Sequence, residues 1–106
     1  MEPFQAVDEA TQKREKAKAR AIRQSAWWKN QVGRGRCYYC HAAIHPSELT
    51  MDHKTPIVRG GLSTRNNLVA CCKACNSEKH YQTLSEWIAQ RQAEDRPLAC
   101  AKDLLY

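Results

Sequence analysis

At 106 residues the chain has room for one small domain, and its mean hydropathy of −0.72 with a lone Phe leaves little for a large apolar core. No apolar run is long enough for a bilayer-spanning helix, which excludes that class. The net charge of +6 suits an anionic partner, and six cysteines offer the reinforcement by metal or disulfide that so modest a core needs.

In chain order, the opening MEPFQAVDEATQKREKAK lacks the apolar stretch of a secretory signal. The expected location is the reducing cytoplasm, where paired cysteines read as metal ligands more readily than as disulfides. Residues 8–31 contain neither Gly nor Pro and are rich in Ala, Lys, Arg, Glu and Gln, which predicts one helix capped by Asp8, with Glu9 in its first turn. Ala19, Ile22, Ala26 and Trp27 fall near 3–4 spacing and form its expected core face, and Gly33 and Gly35 end it. Residues 1–36 hold nine Lys/Arg against four acids and constitute a basic helical arm.

Residues 37–80 form the expected core, with five of the six cysteines and all four histidines. A tight turn is predicted at 37–40 and a short strand near 49–53. A loop through Pro56, Gly60 and Gly61 follows, then a strand near 67–71 and a helix starting about 72–74. Residues 81–106 supply a C-terminal helix and tail. Thr83-Leu84-Ser85-Glu86 fits a capping box opening a helix through about Gln92, with Leu84, Trp87 and Ile88 as its apolar stripe and Pro97 as a stop. The three segments make one small α+β domain.

Cys37-Tyr38-Tyr39-Cys40 and Cys72-Lys73-Ala74-Cys75 are two C-x2-C pairs with 31 residues between them. Two intervening residues let a turn aim both thiolates at one ion, and two such turns complete a tetrahedral zinc shell. Four protein ligands leave no position for water, so this zinc is structural. Two disulfides, or a redox C-x-x-C, are the competing readings; the first lacks a secretory signal and the second a βαβ context. The spacing selects Cys72 over Cys71 and leaves Cys71 a small buried residue.

A second constellation is Asp52-His53, Asn66-Asn67-Leu68, Asn76 after Cys75, and Lys79-His80. Asp52 and His53 read as two metal ligands, as a ligand beside a base, or as a polar pair without chemistry. Carboxylate and amide oxygens are hard ligands suited to Mg²⁺ or Mn²⁺, and a His with a pKa near ~6.5 can take a proton from water near neutral pH. Neighbouring strand positions point to opposite faces, so the two residues converge only where the strand ends or bends.

The order C-x2-C, DH, P, GG, NL, C-x2-C-N, K over residues 37–80 resembles the HNH endonuclease family in its zinc-containing, four-cysteine form. The resemblance implies a ββα-metal fold on the zinc site, with an N-terminal and a C-terminal helix as flanks. It implies a nuclease that hydrolyses DNA phosphodiester bonds to leave 5′-phosphate and 3′-hydroxyl ends. Carried over by position, His53 is the general base, Asp52 and Asn76 hold the catalytic cation, and Asn67 braces the long loop. Asn76 departs from the family name, which has His as its last letter. His80, four positions on, either adds a ligand, shifting preference toward Zn²⁺, Ni²⁺ or Co²⁺, or is merely the polar end of the helix.

Lys79, Arg59, Arg65 and Lys54 are the DNA-binding candidates, Lys79 because the family pattern has a Lys there. DNA is favoured over RNA, no membrane is involved, and the chain acts as a monomer or homodimer. With one short arm, nicking at low sequence specificity is the expected activity. The competing function is a non-catalytic zinc-dependent nucleic-acid-binding module, which needs neither DH, Asn67 nor Asn76.

Overall fold

The computed structural model describes residues 7–104; residues 1–6 and 105–106, the ends of the expected arm and tail, lie outside the described residues. Helix α1 (Glu9–Arg23) opens on Asp8, whose carboxylate accepts the Thr11 N–H at 2.7 Å. The single helix expected over 8–31 is in fact two. Ser25 Oγ donates to the Ile22 carbonyl at 2.6 Å and accepts the Trp28 N–H at 3.2 Å, closing α1 and capping α2 (Ala26–Gly33). A serine hydroxyl competes with the helical backbone from within a run of good helix formers. The break also changes which residues face the core: Ala19 and Trp28 are buried, Ile22 and Trp27 half-buried, and Ala26 exposed.

Strands β1 (Leu49–His53) and β2 (Leu68–Cys72) pair antiparallel, with Asp52 opposite Val69 and His53 opposite Leu68. Helix α3 (Lys73–Lys79) follows β2 without a loop and packs on both strands, giving a small ββα unit. His80 caps the end of this helix with a positive φ of 53°, its N–H donating to the Asn76 carbonyl.

Helix α4 (Leu84–Ala93) begins with the expected capping box: Thr83 Oγ1 accepts the Glu86 N–H at 3.2 Å, and Glu86 Oε1 accepts the Thr83 N–H at 3.0 Å. Trp87 is fully buried, its ring edge-on to Tyr39 with centroids 5.1 Å apart, and its Nε1 donates to Glu78 at 2.9 Å. A further helix, α5 (Ala99–Leu104), occupies what the sequence reads as tail. It buries Cys100 and Ala101, and the Cys100 N–H donates to the Tyr39 carbonyl at 3.1 Å. Among the described residues no helix is long and apolar enough to cross a membrane.

Asn67 braces the loop from β1 to β2 from within. Asn67 Oδ1 accepts the Thr55 N–H at 2.9 Å, while its Nδ2 donates to the Thr55 carbonyl at 3.0 Å and the Leu62 carbonyl at 2.9 Å. Gly61 seals the same loop: a Cβ there would overlap the Thr55 carbonyl oxygen and lie 2.9 Å from the Pro56 oxygen. Both obstacles are backbone, which cannot rotate away. Gly61→Ala is expected to lower stability by about 1–3 kcal/mol through overpacking, measured by denaturant unfolding.

Candidate metal centre and active-site cleft

Cys37, Cys40, Cys72 and Cys75 bring their sulfurs within 4.8 Å of one another. Each pair forms the same knuckle, with the Cys40 N–H on Cys37 Sγ at 3.5 Å and the Cys75 N–H on Cys72 Sγ at 3.4 Å. Sulfur bound tetrahedrally at roughly 2.3 Å from zinc lies about 3.8 Å from its neighbours, and Cys40 and Cys72 sulfurs are 4.0 Å apart. The donor set fits a soft-ligand metal such as zinc. The thiols already share protons unequally: a hydrogen bond from Cys75 holds the Cys37 thiol down at about 4, while donating that bond pushes Cys75 up. Cys71 stays outside the cluster. It is fully buried beside Thr50, and burial pushes its thiol up to about 12.

β1 ends at His53, and there the alternation of strand side chains ceases to apply. Asp52, His53, Asn76 and His80 all line one cleft of about 710 Å³, with Lys16 and Lys73 at its walls. Asp52 Oδ2 accepts from Tyr39 Oη at 2.6 Å and pairs with Lys79 Nζ at 3.1 Å, while its Oδ1 has no partner among the described residues. Tyr39, which the sequence offers as a mere spacer inside a C-x2-C pair, thus orients the carboxylate. Burial and the Asp52 charge push the Tyr39 phenol well above its ordinary range, so it remains a donor.

Proton counting orients Asn76 as well. Thr50 Oγ1 donates to the Cys71 carbonyl at 3.1 Å and therefore accepts from Asn76 Nδ2 at 3.1 Å. The Asn76 carbonyl oxygen is left for the cleft. A carboxylate oxygen and an amide oxygen in one cleft are the hard donors that suit Mg²⁺ or Mn²⁺. His80 shares the cleft but is exposed, its ring 4.1 Å from that of Tyr81. Among the described residues, Asp52, His53 and His80 do not converge closely enough to form a second ligand cluster.

His53 is half-buried, and its Nε2 lies 2.9 Å from the buried Ser63 Oγ. Burial holds its pKa below the ordinary imidazole value, partly offset by the Asp52 charge, with Lys79 adding to the depression. The ring is therefore neutral near pH 7, the form a proton acceptor needs.

Lys79 is not a surface contact. It is 0% exposed, and its Nζ donates to the His53 carbonyl at 2.9 Å while neutralising Asp52. A buried ammonium needs such partners, and their location removes Lys79 from any DNA-facing surface. Arg59 is likewise committed, both of its terminal nitrogens lying 2.9 Å from the Glu86 carboxylate. Lys54 and Arg65 behave otherwise: Lys54 Nζ stands 5.1 Å over the Tyr38 ring and Arg65 Cζ 5.5 Å over the Trp27 ring. Both line a second groove of about 410 Å³ together with Arg34 and Arg36, and no carboxylate is among its described lining residues.

The family model for HNH endonuclease matches residues 37–82. The chain is also similar to the CRISPR-associated endonuclease Cas9 of Corynebacterium diphtheriae, with 37% identity over 60 residues, which is 56% of this chain. That stretch is 6% of the relative, so the chain spans only a small part of its length. Two antiparallel strands, the helix that follows them and the four-cysteine cluster at their base are thus the parts of this chain that lie within residues 37–82, the segment matched by the HNH endonuclease family model.

Proposed function

We propose that the chain is a metal-dependent endonuclease that hydrolyses DNA phosphodiester bonds, with His53 as general base and one divalent cation, Mg²⁺ or Mn²⁺, held by Asp52 and Asn76. The observation that carries this reading is the shared cleft, where a histidine stands beside two residues that each retain one oxygen without a partner among the described residues. A cation bound there supplies polarisation of a phosphoryl oxygen and neutralisation of charge on the leaving oxygen. The rest falls to the chain itself. His53 accepts a proton from the attacking water, Tyr39 and Lys79 hold Asp52 in place, and Asn67, which does not line the cleft, braces the loop that follows His53.

One cleft per chain makes a single-strand nick the unit event, by a monomer or by either half of a homodimer. Of the four candidates Lys79, Arg59, Arg65 and Lys54, the two left to meet DNA are Lys54 and Arg65, because each is held over an aromatic face instead of being neutralised by a carboxylate. Replacing both by Ala in the His53→Ala background is expected to reduce the log–log salt slope of duplex binding by about 2, at roughly 0.9 per lost phosphate contact. Fluorescence anisotropy across a salt series measures it.

Purified protein with intact zinc is expected to nick duplex DNA with Mg²⁺ or Mn²⁺, to stop on addition of EDTA, and to leave nicks that DNA ligase reseals. Failure to cut DNA or RNA with any divalent ion would replace the enzyme by a non-catalytic zinc-dependent nucleic-acid-binding module.

A further inference from the structure

The imidazole of His53 meets Ser63, and Ser63 is in turn held by a residue from outside the matched segment. Ser63 is 5% exposed and Glu15, in α1, is 2% exposed. The Ser63 N–H donates to Glu15 Oε1 at 2.6 Å, and Ser63 Oγ donates to the Glu15 main-chain carbonyl at 2.6 Å. One residue of α1 therefore grips Ser63 at both of its hydrogen-bond donors, across 48 positions of sequence. Lys18, a turn further along α1, balances the carboxylate through Oε2 at 3.1 Å.

A serine hydroxyl has one proton. Two oxygens at 2.6 Å repel unless a proton lies between them, so that proton is committed to Glu15. Toward His53, Ser63 Oγ can then only accept, which makes His53 Nε2 the donor across 2.9 Å. In a neutral ring the other nitrogen carries no proton.

We propose that Glu15 and Ser63 are positioning residues that fix His53 as its Nε2–H tautomer, so that Nδ1 is the nitrogen that accepts the proton of the attacking water. Helix α1 is then part of the active site rather than a DNA-binding arm alone. Of the two carboxylates in α1, Glu9 is exposed and Glu15 is buried at 2% exposure against Ser63. The inference rests on the nuclease reading for its catalytic consequence, but the tautomer itself does not.

The test uses the full zinc-loaded chain labelled with ¹⁵N. Imidazole nitrogen shifts are read at alkaline pH, where the ring is neutral, and nicking kinetics are measured with Mg²⁺. Wild type is expected to show a protonated Nε2 and a bare Nδ1. Ser63→Ala is expected to mix the two tautomers and to lower kcat roughly 10- to 100-fold at unchanged KM and zinc content, as loss of an orienting hydrogen bond does. Ser63→Thr, which keeps the hydroxyl, is expected to restore both readouts. A wild-type ring protonated at Nδ1 overturns the proposal, whatever the variants do. So does a Ser63→Ala protein that folds, keeps the Nε2–H form and cuts at the wild-type rate. If wild type cuts nothing while Ser63 still sets the tautomer, the positioning stands and the nuclease reading falls.

Discussion

His53→Ala is expected to lower the rate of DNA nicking by about 10²- to 10⁴-fold, the contribution of a positioned general base. Zinc content and thermal stability should stay near wild type. The ring is half-buried and is held through Ser63, not through the apolar core, so its removal opens a small polar space at the cleft wall. The Lys79 contact to residue 53 is to the main-chain carbonyl and survives the substitution. Asp52 therefore keeps both its partners, and the cation oxygens are undisturbed. Gel-resolved nicking and metal analysis on the same preparation separate loss of chemistry from loss of structure.

Cys37→Ser is expected to do the reverse, abolishing zinc binding and with it the fold. Structural zinc contributes about 10–16 kcal/mol in small finger peptides, comparable to or above the ~5–15 kcal/mol that holds a typical domain together. Cys37 is fully buried and belongs to the same apolar cluster as Tyr39, Trp87 and Leu98, so the metal site is continuous with the core. Near-UV circular dichroism should lose its aromatic signal as Trp87 becomes mobile. Cys71→Ala is the matched control. Its sulfur is equally buried but outside the four-cysteine set, and that variant should retain one zinc per chain.

The parts of this architecture that were legible in the sequence are local ones. The two C-x2-C pairs announce their cluster because a knuckle is closed within four residues, and Asp8 and the Thr83–Glu86 box announce helix starts for the same reason. Strand β1 falls at the expected 49–53, and β2 begins one residue later than expected. Contacts made across the chain were not legible. Tyr39 meets Asp52 over 13 positions, His53 meets Ser63 over 10, and Ser63 meets Glu15 over 48. Nothing in residue type distinguishes Glu15 from the exposed Glu9 of the same helix; only docking of α1 on the loop buries it.

Lys79 illustrates the converse. Its position in a recognisable pattern signals that it matters, but a lysine among Asn, Ser and Glu reads as surface, and its role depends on Asp52 being brought beneath it. Ser25 and α5 escaped notice for a related reason. A serine within strong helix formers carries no local warning of a break, and a tail after Pro97 gains a helix only because Tyr39 and Trp87 present a surface for Leu98 and Cys100 to cover. Trp28, not Trp27, is buried because α2 starts a new helical phase at Ser25.

The role of His53 as base is tested most directly by conversion of supercoiled to open-circular plasmid by wild-type and His53→Ala protein at equal zinc content, with Mg²⁺, Mn²⁺, Ni²⁺ or Co²⁺. Metal-dependent nicking by wild type and at least a hundredfold loss in the variant are expected with every active ion. Equal rates for the two proteins would contradict that role, because the cleft would then hold no base at His53.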